Sequence, residues 1–514
     1  MFIKIIRVFV PRGTKRERWA KLVAHKIGLS EHPYYDRDYQ RWMEHTEPEM
    51  FLPVIKGKSD KPLFSIVVPF FNTPDKYLFP LVDSIANQSF QNWELIAADA
   101  STDKERAQAI AQTCELDNRI KYHELENNSG ISGNTNQGIE KTAGDYIVFC
   151  DHDDVLSLHA LNEMAHKINE SPDIDILYSD EDKLSDDGNW RHHPFFKPRW
   201  SPHTFLHTNY TNHLSVVRKT LVESVGGLRP EFDGSQDYDL LLRIHANTER
   251  APKVGHVSKV LYYWREAEGS TAINHSSKSY AFEAGRKALQ EYVDTINVDC
   301  RVENINDRPG FYHTVFSPKE GTKAVVYVGP TASKQLNGVF ASKLKSHTKT
   351  TTVEAEFKPV TKEELENAPE HIDDNTVVFK IRTTALPEDS RWLEQLAGIL
   401  ELPDVAAVAP RILTSDGGLI SDMGFVLAGK DEKVPLFKNL ARSDQTPAGI
   451  TEWVRDVDEL SGAIVGHPKQ PRTDAYQVVW SHVNFRKKQI LQSSDYYLNS
   501  NLELNTGSQV VVNE

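Results

Sequence analysis

Cysteine is scarce here: Cys114, Cys150 and Cys300 are the only three among 514 residues. A set so sparse, scattered and odd in number offers neither a disulfide framework nor a zinc cluster, and it suits a reducing compartment. A cytoplasmic protein is expected. Excess positive charge is missing too, and a formal charge of −14 argues against a general nucleic-acid binder. No uninterrupted apolar run reaches about 18 residues, so no membrane-spanning helix is expected. The apolar start Met1-Phe-Ile-Lys-Ile-Ile-Arg-Val-Phe-Val10 is broken by Lys4 and Arg7 and lacks a signal cleavage site. The glycine-rich nucleotide fingerprints are absent as well. The turn after the first expected strand reads Pro69-Phe-Phe-Asn-Thr-Pro74, with no glycine, which excludes a G-x-G-x-x-G dinucleotide site, and no P-loop occurs.

The chain is too long for one ordinary core, so two or three domains are expected. Its composition, 39% hydrophobic and 26% charged, is that of a soluble globular protein. The pattern divides it into a basic amphipathic extension (1–60), an α/β domain (61–305), a polar linker with Pro309 and Gly310 (306–322), and a second α/β domain (323–514). Residues 1–29 carry eight Lys/Arg against Glu17 alone, a formal +7 that leaves −21 on the rest of a chain totalling −14. Trp19, Leu22, Val23 and Ile27 add an apolar stripe at helical spacing. Such a segment suits peripheral contact with an anionic membrane face, or docking on the protein's own acidic body.

From Pro62 strands and helices alternate. Phe64–Pro69, Trp93–Ala98 and Ile120–Leu125 read as strands, and 76–88, 104–115 and 127–142 as helices. Alternation of this kind implies βαβ units and a mainly parallel sheet. Ligands of such sheets bind beyond the carboxyl ends of the strands, where Asn72, Asp99 and Asp151 fall.

The stretch Gly144-Asp-Tyr-Ile-Val-Phe-Cys-Asp-His-Asp-Asp154 concentrates the chemistry. A buried strand over Tyr146–Cys150 runs into three carboxylates within four positions. If the chain stays extended there, Asp151 and Asp153 share a side, and carboxylates that close tolerate their charge best with a cation between them. A hard divalent ion, Mg²⁺ or Mn²⁺, fits such oxygen ligands. The plainer alternative is that Asp153 or Asp154 caps the following helix. Upstream, Asn127-Asn-Ser-Gly-Ile-Ser-Gly-Asn-Thr-Asn136 starts a helix whose N–H groups suit a phosphate, or forms an ordinary turn and cap.

Downstream, the strand Ile174–Tyr178 is followed by Ser179-Asp-Glu-Asp-Lys183. Asp180, Glu181 and Asp182 suit acceptor hydroxyls or a solvated rim. Trp200, in the aromatic and basic run from Arg191, suits stacking on a sugar or packing in the core. In Gly226–Arg243 a glycine-rich turn leads into a helix that opens on Gln236, Asp237 and Asp239. Acids at a helix start stabilise it by about 0.3–1 kcal/mol, and one aimed into a cleft also makes a general base.

Taken together, Ser65-Ile-Val-Val-Pro-Phe-Phe-Asn72, Asp99-Ala-Ser-Thr-Asp103, Asp151-His-Asp-Asp154 and Gly234-Ser-Gln-Asp-Tyr-Asp-Leu240 resemble the family 2 glycosyltransferases of GT-A fold. The variant is similar to bacterial rhamnosyltransferase-like and O-antigen enzymes. Tyr178–Lys183, Phe196–Pro202, Lys259–Arg265 and Gly269–Ala272 extend the likeness, which covers about residues 62–300. It implies an inverting, metal-dependent transfer from a UDP-, dTDP- or GDP-sugar to a glycan or lipid-linked acceptor of bacterial surface polysaccharide. Pro69 and Asn72 would line the donor pocket, and Asp99 would contact the base. Asp151 and Asp153 would hold the metal and diphosphate. Asp237 would deprotonate the acceptor, with Asp180, Glu181, Asp182, Trp200 and Gln236 on the acceptor side. Where some members place a metal-binding His, Ala267 stands here, with His256 or His275 as substitutes.

In the second domain, Asn375-Thr-Val-Val-Phe-Lys-Ile-Arg-Thr-Thr384 repeats the strand of Asp145–Asp154 without its carboxylates. Arg391–Leu396, Val405–Pro410 and Ser415–Gly418 resemble second transferase domains of the same group. The fold expected is therefore a GT-A domain followed by a degenerate, GT-A-like α/β domain without a metal site. A sugar-phosphate nucleotidyltransferase, the other enzyme reading, needs a glycine-rich basic loop after its first strand, and Pro69–Pro74 is not one. A catalytically inactive glycan-binding or scaffold protein suits the second half better than the first.

Overall fold

The computed structural model describes residues 37–56, 62–247, 250–267, 279–305, 308–428, 432–440, 442, 453–472 and 475–487. The basic segment 1–29, Gly269–Ala272 and His275 lie outside them. The chain forms two compact units, Met1–Thr314 and Val315–Glu514.

The first unit is built on one mixed sheet. Its strands are β1 (Phe64–Phe70), β2 (Trp93–Asp99), β3 (Ile120–Glu124), β4 (Tyr146–Phe149), β5 (Val155–Leu156), β6 (Ile176–Leu184), β7 (Arg191–Phe195), β8 (Ser215–Arg218) and β9 (Val254–Arg265). They lie in the order β3-β2-β1-β4-β8-β6-β9-β5, with β7 beside β6. β1 to β4 are parallel, as the alternation of strands and helices requires. β8 then runs antiparallel between β4 and β6 and turns the sheet mixed. β1 is central and almost wholly buried, hence its unbroken apolar run. Ser65 is the exception: its Oγ donates to Glu94 at 2.6 Å and accepts the Gly144 N–H at 2.9 Å. Helices Asp75–Ala86, Lys104–Cys114 and Ala160–Glu170 pack Leu78, Leu81, Ile85, Ile110, Leu161 and Met164 onto the sheet.

Two expectations change. β6 runs on through the acids to Leu184, so they belong to a strand interior and not to a rim. The segment 306–322 is no bare linker, because Tyr312–Phe316 forms a strand beside Cys300–Asn304. The connection ahead of the sheet also has structure: Arg37–His45 is a helix that buries Tyr39.

The second unit has a sheet in the order Glu354–Pro359, Lys323–Val328, Thr376–Ile381, Ile464–His467, Val405–Leu413, Tyr476–Arg486, Leu386–Pro387. Strand for strand this is β2-β1-β4-β8-β6-β9-β5, with every pairing direction the same. β3 has no counterpart among the described residues.

Gly144 is where β4 is pressed against β1. A Cβ there would meet Ser65 Oγ at 2.5 Å and the Leu63 carbonyl at 2.7 Å. Gly144→Ala is expected to destabilise the unit by about 1–3 kcal/mol through overpacking. Urea unfolding should show a lower midpoint at unchanged slope.

Candidate active site

β4 delivers its carboxylates to the sheet edge in unequal states. Asp151, His152 and Asp153 are half-buried and Asp154 is fully buried. Asp154 accepts hydrogen bonds from the Tyr262 hydroxyl and, at 2.7 Å, from the Arg265 N–H. Burial, then the charges of Asp153 and Asp151, push its carboxyl well above the usual range. Tyr262 also accepts the Asp151 N–H at 3.3 Å, and Arg265 Nε donates to the Asp153 carbonyl at 2.7 Å. The end of β9 thus holds the whole loop. The next helix starts at Ala160 behind β5, with His159 at its cap, so neither Asp153 nor Asp154 caps it. His152 Nδ1 is fixed on Thr73 Oγ1 at 2.5 Å.

The carboxylate of Asp153 has no hydrogen-bond partner among the described residues. No cluster of three or more metal-binding side chains occurs among them either. A Mg²⁺ or Mn²⁺ ion commonly takes one or two carboxylates and completes its shell with substrate phosphates and water. Asp151 and Asp153 fit such an ion.

The residues after β1 and β2 serve a different purpose from the one expected. Asp99 is 1% exposed, and its oxygens accept from the Ser101 N–H (2.9 Å), Ser101 Oγ (2.5 Å) and the Tyr122 hydroxyl (3.0 Å). Asn72, at φ 49°, accepts the N–H groups of Thr102 (3.0 Å) and Asp103 (2.9 Å) and donates its own N–H to Ser101 Oγ (2.8 Å). Both residues shape the turn 100–103, with Asp99 buried and Asn72 half-buried. Pro69 is half-buried in β1 opposite Ala98.

Asp237 sits in the first turn of the helix Gln236–Asn247, half-buried. Its Oδ2 accepts from Asn212 Nδ2 at 3.0 Å, and burial pushes its carboxyl up to about 6. Gln236 ties its own loop, its Oε1 accepting the Gly234 N–H at 2.7 Å. The start of the helix Gly130–Ile139 is taken as well: Asp233 Oδ1 accepts the Ser132 N–H at 3.3 Å, and a Cβ at Gly130 would meet Asp233 Oδ2 at 2.7 Å. That helix start holds the loop ahead of Asp237 and not a phosphate. Asn136 adds a two-point grip on the Leu228 backbone at 2.9 and 2.8 Å.

The acids of β6 are interior, which corrects their acceptor-side assignment. Asp180 accepts from His256 Nε2 (2.8 Å) and the Lys197 N–H (2.9 Å), which also removes His256 as a metal ligand. Glu181 pairs with Lys197 at 3.3 Å and accepts the His213 N–H. Asp182 accepts from Tyr39 (2.5 Å) and Arg191 Nε (2.7 Å), and burial lifts it to about 7. Trp200 stacks on His245 at 5.0 Å, a packing role.

The joints of this site leave little mark in the sequence. Next to Asn212, which holds Asp237, His213 stacks on Tyr262 at 4.8 Å. Tyr262 in turn touches Asp151 and Asp154, so one aromatic ring links the carboxylate loop to the segment that holds Asp237. The only advance signal for it was the Lys259–Arg265 segment.

Residues 65–226 match the family model described as glycosyl transferase family 2. The uncharacterized protein y4gI of Sinorhizobium fredii is 37% identical over 279 residues, 54% of this chain and 30% of that protein. The O-antigen biosynthesis protein RfbC of Myxococcus xanthus is 28% identical over 463 residues, 83% of this chain and 36% of the relative. GalNAc(5)-diNAcBac-PP-undecaprenol beta-1,3-glucosyltransferase of Campylobacter jejuni is 34% identical over 110 residues, 21% of this chain and 35% of that enzyme. The chain spans about a third of the length of these relatives.

Asp154→Ala strands the Tyr262 hydroxyl and the Arg265 N–H, and should lower the unfolding free energy by about 1–3 kcal/mol. Asp154→Asn keeps an acceptor and should cost less. Since folding raises the Asp154 pKa, the wild type holds its proton longer when folded and loses stability as pH climbs above about 4. Urea unfolding from pH 4 to 8 should therefore show the wild type falling relative to Asp154→Asn.

Proposed function

We propose that this family 2 glycosyltransferase moves a sugar, with inversion, from a nucleoside diphosphate donor to a hydroxyl of a glycan or lipid-linked acceptor in bacterial surface polysaccharide synthesis. The observation that carries the reading is the pairing of unlike carboxylates around Tyr262. Asp153 stands without a partner beside Asp151, and Asp237 is lifted by burial to about 6. A group with that pKa is charged at neutral pH yet still basic enough to take a hydroxyl proton.

In this account Asp237 accepts the proton of the acceptor hydroxyl, held in place by Asn212. The acceptor oxygen forms its bond to the anomeric carbon as the bond to the diphosphate oxygen breaks, and the pair of electrons leaves with the nucleoside diphosphate. A single displacement of this kind inverts the anomeric centre. A divalent ion, when bound by Asp151 and Asp153, would neutralise the charge growing on the diphosphate. Arg265, 1% exposed, and Tyr262 keep the loop in one conformation while this happens. Fixed positioning of this sort supplies much of the rate of a two-substrate reaction.

The second unit is proposed to bind and not to transfer. Thr376 pairs opposite Lys323 as Tyr146 pairs opposite Phe64, so Ile381 and Thr383 take the places of Asp151 and Asp153. Between the strands that match β8 and β9 only residues 468–475 intervene, where the first unit carries the base helix Gln236–Asn247. A glycan, a partner chain or a second copy fits a repeat that lacks both catalytic parts. The names of the relatives from Myxococcus and Campylobacter support an O-antigen-like pathway and an undecaprenol-linked acceptor.

Nucleotide release from UDP-, dTDP- and GDP-sugars with Mn²⁺ or Mg²⁺ tests the assignment. Asp153→Ala should abolish turnover, and Asp237→Asn should reduce it about 10²–10⁴-fold. The wild-type kcat/KM should rise with pH and level off above about 6, because the base works unprotonated. Full activity in both variants contradicts the mechanism.

A further inference from the structure

β6 and β9 pair with Glu181 opposite Tyr262, Asp182 opposite Tyr263 and Lys183 opposite Trp264. Side chains alternate across a sheet, so Asp182 and Tyr263 share one face and Glu181, Lys183, Tyr262 and Trp264 the other. Tyr39 and Arg191 close the first face: Tyr39 donates to Asp182 at 2.5 Å and Arg191 lies 3.9 Å from the Tyr263 ring centroid. The second face belongs to the site, because Tyr262 there touches Asp151 and Asp154 and carries His213.

On that face Lys183 Nζ lies over Trp264, 2.8 Å from the ring centroid. It makes no hydrogen bond and no ion pair with any described residue, although Glu181, Asp154 and Glu266 attract it from further off. Glu181 is committed to Lys197 and the His213 N–H, and Asp154 to Tyr262 and Arg265. Burial outweighs the three attractions and pulls the ammonium down to about 8. An ammonium has three donors to satisfy, and a desolvated one gains most from an anion brought to it. Lysine binds phosphate as a point charge, without the forked geometry of arginine.

Resting on the glycosyltransferase reading, we propose that Lys183 is a second cation of the donor site, whose ammonium hydrogen-bonds the diphosphate of the donor nucleotide. Trp264 lies under the ammonium, and His213, whose chain neighbour Asn212 holds Asp237, stands edge-on to Trp264 at 5.5 Å. Lys183 therefore holds the leaving group and the acceptor base touches the other substrate. The positive charge stays with the nucleoside diphosphate after the glycosidic bond to it breaks.

The test is calorimetric titration of UDP, dTDP and GDP into the full chain with Mn²⁺, comparing wild type, Lys183→Met, Lys183→Gln and Lys183→Arg. The Met and Gln variants should bind the preferred diphosphate at least about tenfold more weakly, the scale of a charged hydrogen bond. The Arg variant should recover most of the loss, and the acceptor KM should not move. Urea unfolding of each variant separates a lost contact from a lost fold, and having two neutral variants leaves one if the other misfolds. Wild-type affinity in the neutral variants, or equal weakening in the Arg variant, overturns the role of Lys183 alone. If the wild type itself binds none of the three nucleotides, the donor-site reading falls and the assignment of Lys183 falls with it.

Discussion

The hydroxyl of Tyr262 is the point on which the site turns. It donates to Asp154, accepts from the backbone of Asp151, and lies on a ring stacked against His213. Three carboxylates in four residues repel one another, and burial beside the other two pushes the third well above the usual carboxylate range. The same buried contact joins β4 to β9, and through His213 and Asn212 it reaches Asp237. Removing either partner of a buried hydrogen bond leaves the other unsatisfied, so the loop and Asp237 would loosen together.

The order of elements was readable because it rests on local pattern. Buried parallel strands show as apolar runs, and the turns between them carry the acids and asparagines. The separation of Asp151 and Asp153 from Asp154 was not readable. It depends on Tyr262 and Arg265, more than 100 residues away. The same holds for β6, whose acids look like an open rim until Tyr39, 143 residues distant, closes over Asp182. Spacing reports where an acid falls along the chain, whereas burial beside a distant partner decides whether it is free. Asp99 and Gln236 sit where expected, yet Asp99 is held by Ser101 and Tyr122, and Gln236 Oε1 is held by its own loop.

The second unit extends that contrast. Its strand Thr376–Ile381 was legible as an echo of β4 from ten residues, and the sheet repeats the first in order and direction. Besides β3, which has no counterpart among the described residues, what distinguishes the units lies past the strand that echoes β4 and in one connection: Ile381 and Thr383 at the carboxylate positions, and a short connection in place of the helix that carries Asp237. A scaffold held by apolar strands tolerates such losses, because core packing and not the site supplies its stability.

The central claim is a division of labour, with Asp153 serving the donor and Asp237 the acceptor. Equilibrium binding of a nucleoside diphosphate in the presence of Mn²⁺ tests it most directly. The account predicts that Asp153→Ala loses this binding while Asp237→Asn keeps wild-type affinity, although both are impaired in sugar transfer. Binding retained in Asp153→Ala, or lost in Asp237→Asn, would contradict it.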